Sequence, residues 1–178
     1  MDIGFLITTY NRQESCQRLV DALQGQGDII VLNDGCDYDI TGATQFKQSH
    51  HGGKYGYWNT VNQLFKVRGL HRYYFILPDD FSICESQIFK AIELWEDIDD
   101  PRKMCLNLYT DRVGIPCWTR FIPIDKGNVW QTGWIDMCFI CEGSFFKTVG
   151  TIPKLSAHMS SGVGAYISRK LHKLKYGM

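Results

Sequence analysis

The sequence carries no net charge, because 19 lysines and arginines are matched by 19 aspartates and glutamates. That balance excludes a strongly basic nucleic-acid binder, although it leaves room for a local basic patch. No apolar run approaches the length of a membrane-spanning helix, and there is no internal repeat or low-complexity segment. The N-terminus, Met1-Asp2-Ile3-Gly4-Phe5, lacks the basic-then-apolar order of a secretory signal. A cytoplasmic setting is therefore expected, in which the seven scattered cysteines are reduced thiols. At 178 residues, 44% of them hydrophobic and 21% charged, the chain has the composition of one ordinary globular domain.

What the sequence does have is a run, Tyr73-Tyr74-Phe75-Ile76-Leu77-Pro78-Asp79-Asp80-Phe81, in which apolar residues lead straight into two carboxylates. An uninterrupted run of this kind suits a strand buried on both faces, as in a helix-covered parallel sheet. Ligands of such sheets bind just beyond the carboxyl ends of the strands. Two adjacent acids there repel each other and call for a cation; Mg²⁺ or Mn²⁺ shared with phosphate oxygens would serve. A solvated Asp-Asp turn is the plain alternative.

The rest of the first half fits around that strand. Ile3 to Thr9 reads as a buried strand followed by a Tyr10-Asn11-Arg12 turn. Cys16, Leu19, Val20 and Leu23 have helical spacing within 13–24, and Gly25 and Gly27 stop that helix. Asp28 to Asn33 is a second strand, parallel to the first, ending in the turn Asn33-Asp34-Gly35. Residues 36–53 are polar and irregular. Tyr57, Val61, Leu64 and Phe65 mark a second helix running to about Val67, and a third covers Glu85 to Ile98. Beyond Pro101 the expected elements are a strand over Met104–Tyr109 and a hairpin of Trp118–Ile124 with Asn128–Trp130. A strand over Trp134–Cys141, a short helix to Val149 and a last, basic helix from about Gly164 complete the chain. Two halves result: 1–100, of nucleotide-binding type, and 101–178, a mixed β region with a terminal helix.

Three strand ends therefore stand side by side: Thr8-Thr9-Tyr10-Asn11-Arg12, Asn33-Asp34-Gly35 and Asp79-Asp80. They offer an aromatic face, a guanidinium, a carboxylate for a base or ribose edge, and an acid pair for metal, which is what a nucleoside diphosphate requires. Singly, each has a structural explanation: Tyr10 packing on the surface, Arg12 pairing with Glu14, Asp34 shaping its turn. Their placement at successive strand ends favours binding.

The order Thr8-Thr9-Tyr10-Asn11-Arg12, Asn33-Asp34-Gly35, Gly53-Lys54-Tyr55-Gly56-Tyr57-Trp58-Asn59 and Leu77-Pro78-Asp79-Asp80 resembles the GT-A glycosyltransferases of the family 2-like group. Trp134 to Gly150 is similar to the acceptor-side segment of that group, so the resemblance spans nearly the whole chain. It implies an α/β GT-A fold with a mostly parallel central sheet flanked by helices, and a smaller mixed β region in the C-terminal half. It implies, too, that Thr8, Tyr10 and Arg12 border the nucleotide, that Asp34 hydrogen-bonds the base, and that Lys54 and Asn59 line the pocket near ribose and diphosphate. Asp79 would touch ribose or sugar, and Asp80 would hold Mn²⁺ or Mg²⁺. The implied partner is a nucleotide-sugar donor, a UDP-sugar first. The acceptor could be a glycan, a lipid-linked sugar, a protein or a modified DNA base.

Two departures qualify the resemblance. Pro78 stands where many members carry a first Asp. Where inverting members carry a Glu-Asp pair before the last helix, this chain reads Ser160-Ser161-Gly162-Val163. Another acid must then serve as base, Asp136 first and Asp125 second, or the reaction retains configuration. His158 is the candidate second metal ligand, since imidazole suits Mn²⁺; a solvated loop histidine is its plain reading.

Other signals point to structure. Cys138-Phe139-Ile140-Cys141 has metal-ligand spacing but lies in an apolar strand, so core packing is expected. Gly53-Lys54 is no P-loop, because Tyr55 replaces the required Ser or Thr. His50-His51 reads as a solvated loop pair, and Trp118, Trp130 and Trp134 as packing residues. The leading function is metal-dependent glycosyl transfer. A nucleotidyltransferase would show a glycine-rich loop after the first strand, which Tyr10-Asn11-Arg12 is not. A non-catalytic nucleotide-sugar or carbohydrate-binding relative is the alternative outside enzymes.

Overall fold

A computed structural model describes residues 2–108, 121–123, 130–132, 135–155 and 162–176. Apolar strands at the front of the chain build the centre of the sheet. β1 (Ile3–Thr9), β2 (Asp28–Asn33) and β4 (Tyr73–Pro78) are buried nearly throughout. β1 lies between the other two and pairs in parallel with both. Between β1 and β2 runs α1 (Gln13–Leu23), whose buried residues Cys16, Leu19, Val20 and Leu23 follow the expected helical stripe.

The polar segment before α2 holds a strand that the sequence pattern does not announce. β3 (Thr44–Lys47) pairs in parallel with β2 at the sheet edge. Its Gln45 side chain accepts from Ile40 N–H at 2.8 Å and donates to the Tyr38 carbonyl at 3.0 Å, tying down the preceding loop. Lys47 gives the edge a charge, paired with Asp39 at 3.0 Å. α2 (Gly53–Val67) begins four residues before Tyr57, so the Gly53-Lys54 segment is the first turn of a helix.

The sheet differs from the mostly parallel one expected. Its order is β3-β2-β1-β4-β8-β5, where β5 is Cys105–Asn107 and β8 is Phe139–Glu142. β8 is antiparallel to both β4 and β5, so strands of the second half complete the sheet of the first and make it mixed. A separate antiparallel pair, β6 (Phe121–Pro123) with β7 (Trp130–Thr132), falls where the hairpin was expected.

Alternation along the strands divides the core in two. Leu6, Ile30, Leu32, Tyr74, Ile76, Phe139 and Cys141 face one layer, formed by α2, α4 (Gly143–Val149) and α5 (Gly162–Lys173). Phe5, Ile7, Val31, Phe75, Leu77 and Ile140 face the other, formed by α1 and α3 (Glu85–Asp97). α1 and α2 thus cover opposite faces, and the crossovers reverse direction beside β1. In open α/β sheets a crevice opens at that reversal, outside the carboxyl ends of the strands. Among the described residues no helix is long and apolar enough to cross a membrane.

Candidate functional site

The crevice is present. Thr8, Thr9, Tyr10, Asn11, Arg12, Asp34, Tyr57, Thr60 and Asp79 line an open cleft of about 390 Å³. After β1 the chain turns through Asn11, whose φ of 53° is one that asparagine tolerates better than most residues. The turn is held from the β2 side: Asn11 N–H points at Cys36 Sγ (3.1 Å) and Arg12 N–H at Tyr38 Oη (3.4 Å).

Asp79 closes the floor. Its Oδ2 accepts from the Thr9 hydroxyl at 2.8 Å and from Tyr10 N–H at 3.4 Å, and its Oδ1 from Arg12 Nη1 at 3.2 Å. Burial raises its pKa above the ordinary carboxylate value, opposed by the Thr9 hydrogen bond and the Arg12 charge. Asp80 is half exposed and pairs with the same Arg12 Nη1. The guanidinium pKa rises in response, mainly through Asp80 and then Asp79. Two carboxylates and one guanidinium leave a single net negative charge at the end of β4.

Asp34 is nearly enclosed, at 5% exposure. Its Oδ2 lies 2.9 Å from His51 Nδ1, while Oδ1 accepts from Gly52 N–H at 3.0 Å and from the Thr60 hydroxyl at 3.3 Å. Both oxygens are therefore engaged inside the protein. His51, in turn, stacks on Tyr10. Tyr57 reaches across from α2 to Thr8, with the two hydroxyls 3.2 Å apart. Burial pushes the Tyr57 phenol up to about 12, with further rises from the charges of Asp136, Asp79 and Asp34, so it stays protonated as a donor.

Asp136 stands on the second half of the chain and is not among the residues lining the cleft, although its charge is among the influences that raise the Tyr57 pKa. It is exposed; its N–H points at Asn107 Oδ1 (3.3 Å), and its Oδ1 accepts from Met137 N–H at 2.7 Å. Helix α5 holds the preceding residue, Ile135. Ser168 Oγ accepts from Ile135 N–H and donates to the Gly164 carbonyl, both at 2.8 Å. A Cβ on Gly164 would lie 2.5 Å from Ile135 O, so only glycine admits this approach.

Of the sequence candidates, Thr8, Tyr10, Arg12, Asp34 and Asp79 come together in the cleft wall, and Asp80 joins them through Arg12. Asn59 lies outside the wall, 3.5 Å from Gln48 Oε1. The Lys54 side chain, Asp125, His158, Trp118 and Trp134 lie outside the described residues. Tyr57, Thr60 and His51 are additions. The first two lie three positions apart on one helix face, a signal that reads equally well as core packing. Cys138 and Cys141 are buried in opposite core layers, as packing requires.

Among the described residues no three His, Cys, Asp or Glu side chains gather as a metal cage. A hard cation of the Mg²⁺ type does not need one, since it binds through one or two carboxylates, substrate phosphates and water. The half-exposed Asp80, which together with Asp79 outweighs the single charge of Arg12, fits that mode.

No protein-family model matches the sequence, and no curated protein matches it. Among solved structures the fold is similar to that of GalNAc-T7 with UDP, GalNAc and Mn²⁺, at a TM-score of 0.67 and 11% identity. The similarity covers 99% of this chain and 41% of the other, so this chain spans less than half of that protein's length. At that identity the likeness establishes the fold alone. The chain has a mixed α/β fold of the GT-A type, without assignment to the family 2-like group.

Proposed function

We propose that this chain is a glycosyltransferase that moves a sugar from a nucleotide-sugar donor, a UDP-sugar first, to an acceptor hydroxyl, and that residues 1–178 act as one catalytic unit. The observation that carries the reading is the convergence of the β1, β2 and β4 ends on one cleft, in a fold similar to that of a protein solved with UDP, GalNAc and Mn²⁺.

In this reading Tyr10 faces the base, and Thr8 and Tyr57 offer hydroxyls to the ribose or phosphates. Arg12 Nη1 is occupied by the two acids, while Nη2 and Nε make no hydrogen bond to another described residue and are available to phosphate oxygens. Asp80 would hold Mn²⁺ or Mg²⁺, and a bound divalent ion neutralises charge building on the departing nucleoside diphosphate. Asp79, held by Thr9, Tyr10 and Arg12 and only 5% exposed, lines the cleft on the ribose or sugar side. Asp136 takes the proton of the acceptor hydroxyl as its oxygen attacks the sugar carbon and the bond to the diphosphate breaks. Holding the two reactants in line supplies much of the remaining rate.

The test is a screen of the purified protein against nucleotide sugars with Mn²⁺, reading release of nucleoside diphosphate. One donor should be turned over well above the rest. Release from none, with or without added acceptor sugars, would reject transfer.

A further inference from the structure

The imidazole of His51 lies flat on Tyr10, with ring centroids 3.4 Å apart and planes 9° apart. Its Nδ1 stands 2.9 Å from Asp34 Oδ2 and 3.2 Å from the Asp34 carbonyl oxygen, and the Gly53 N–H points at the same nitrogen at 3.3 Å. The other carboxylate oxygen is taken by Gly52 N–H and the Thr60 hydroxyl. Gly35 closes the turn directly against the histidine segment: its φ is +87°, and a Cβ there would lie 2.4 Å from His51 N. The end of β2 and the approach to α2 are thereby locked together, with the imidazole held at a set height over the β1 turn. Tyr10 lines the cleft and stays 44% exposed, whereas His51 is not part of the cleft wall. One face of the phenol ring is backed by His51, and the residue borders the cleft.

We propose that His51 is a positioning residue for the base of the donor nucleotide: oriented by Asp34, it backs Tyr10 and fixes that ring as a ready-made stacking platform. The inference rests on the nucleotide-donor reading above and changes the part Asp34 plays in it. With both oxygens used internally, Asp34 acts on the base through His51 and Tyr10. An exposed tyrosine on a turn samples several rotamers, and ordering it on binding weakens affinity; a backed ring has been ordered in advance.

Calorimetry with UDP, GDP and inorganic pyrophosphate, each with Mn²⁺, separates base from phosphate recognition. His51→Ala is expected to weaken the better-bound nucleotide about five- to tenfold, the equivalent of one lost ring contact, and to leave pyrophosphate unchanged. His51→Phe, which keeps the stack without the bond to Asp34, is expected to recover most of the loss. Should His51→Ala not fold, His51→Asn gives the same ratio, because it keeps a donor near Asp34 without the ring. Equal losses for nucleotide and pyrophosphate, or no loss for either, would overturn the role of His51 alone. If the unsubstituted protein binds neither nucleotide, the donor reading falls and this inference with it.

Discussion

Each end of the central sheet carries a histidine on aspartate, and the two arrangements serve opposite ends. At the amino ends of the strands, His71 Nδ1 is 3.0 Å from Asp2 Oδ1 and its Nε2 is 3.5 Å from Asp28 Oδ2. The ring fills the space beside Gly4, where a Cβ would come within 2.6 Å of it, and its side chain is only 11% exposed. Asp2 also accepts from Arg72 N–H at 3.0 Å, so one acid ties the lead-in of β1 to that of β4. That cluster closes a seam. At the carboxyl ends, His51 is 38% exposed and lies on a ring that borders a cleft. The chemistry of the pairs is the same; the difference is that crossovers depart to opposite faces at the carboxyl end and leave a gap there.

The contrast is broken or sharpened by substitution, starting with the largest effect. Asp80→Ala should cut sugar transfer about a thousandfold, several kcal/mol of transition-state stabilisation, without moving the urea midpoint. A matching loss of stability would make Asp80 a structural acid like Asp2. Next, Asp136→Asn should lower kcat about a hundredfold with donor affinity unchanged, since asparagine can still accept from Met137 N–H. Turnover at the original rate would place the base elsewhere.

His71→Ala should do the reverse. Losing the ring and its bonds to Asp2 is expected to cost about 1–2 kcal/mol in urea unfolding, with nucleoside diphosphate affinity kept. Weakened nucleotide binding at constant stability would erase the distinction between the two ends.

The smallest effect is alkaline. Burial pushes the Tyr57 phenol from its ordinary 10.0 up to about 12 and the Cys16 thiol from 9.0 up to about 11. Above roughly pH 9 the unfolded chain releases protons that the folded chain keeps, so stability falls as pH rises through that window. Tyr57→Phe should flatten the upper part of the fall in thermal melts between pH 9 and 11; an unchanged slope would argue that the phenol ionises as it does in solution.

How much of this was legible in the sequence depended on how local the deciding forces were. β1, β2 and β4 announce themselves because burial on both faces demands unbroken apolar runs, and α1 because one buried face demands a stripe. β3 was hidden: an edge strand with exposed Thr44 and Lys47 needs no apolar pattern, and its backbone pairing with β2 is what makes it a strand. The mixed sheet was hidden too, because β8 pairs with β4 across more than sixty residues and with β5 across more than thirty. At the site, Tyr10, Arg12, Asp34 and Asp79 could be named from their places at strand ends. The partners that assign their work could not: Asp34 finds His51 seventeen positions on, and Arg12 finds its acids nearly seventy positions on.

By itself, then, the sequence determined which segments must be buried and which polar groups fall where those segments stop, because the hydrophobic effect acts on short-range pattern. Only the tertiary structure decided which of those polar groups face a cleft and which are spent on each other. A carboxylate can accept from an imidazole, a backbone N–H or a ligand with equal ease, and proximity set by the packing of helices on opposite faces makes the choice.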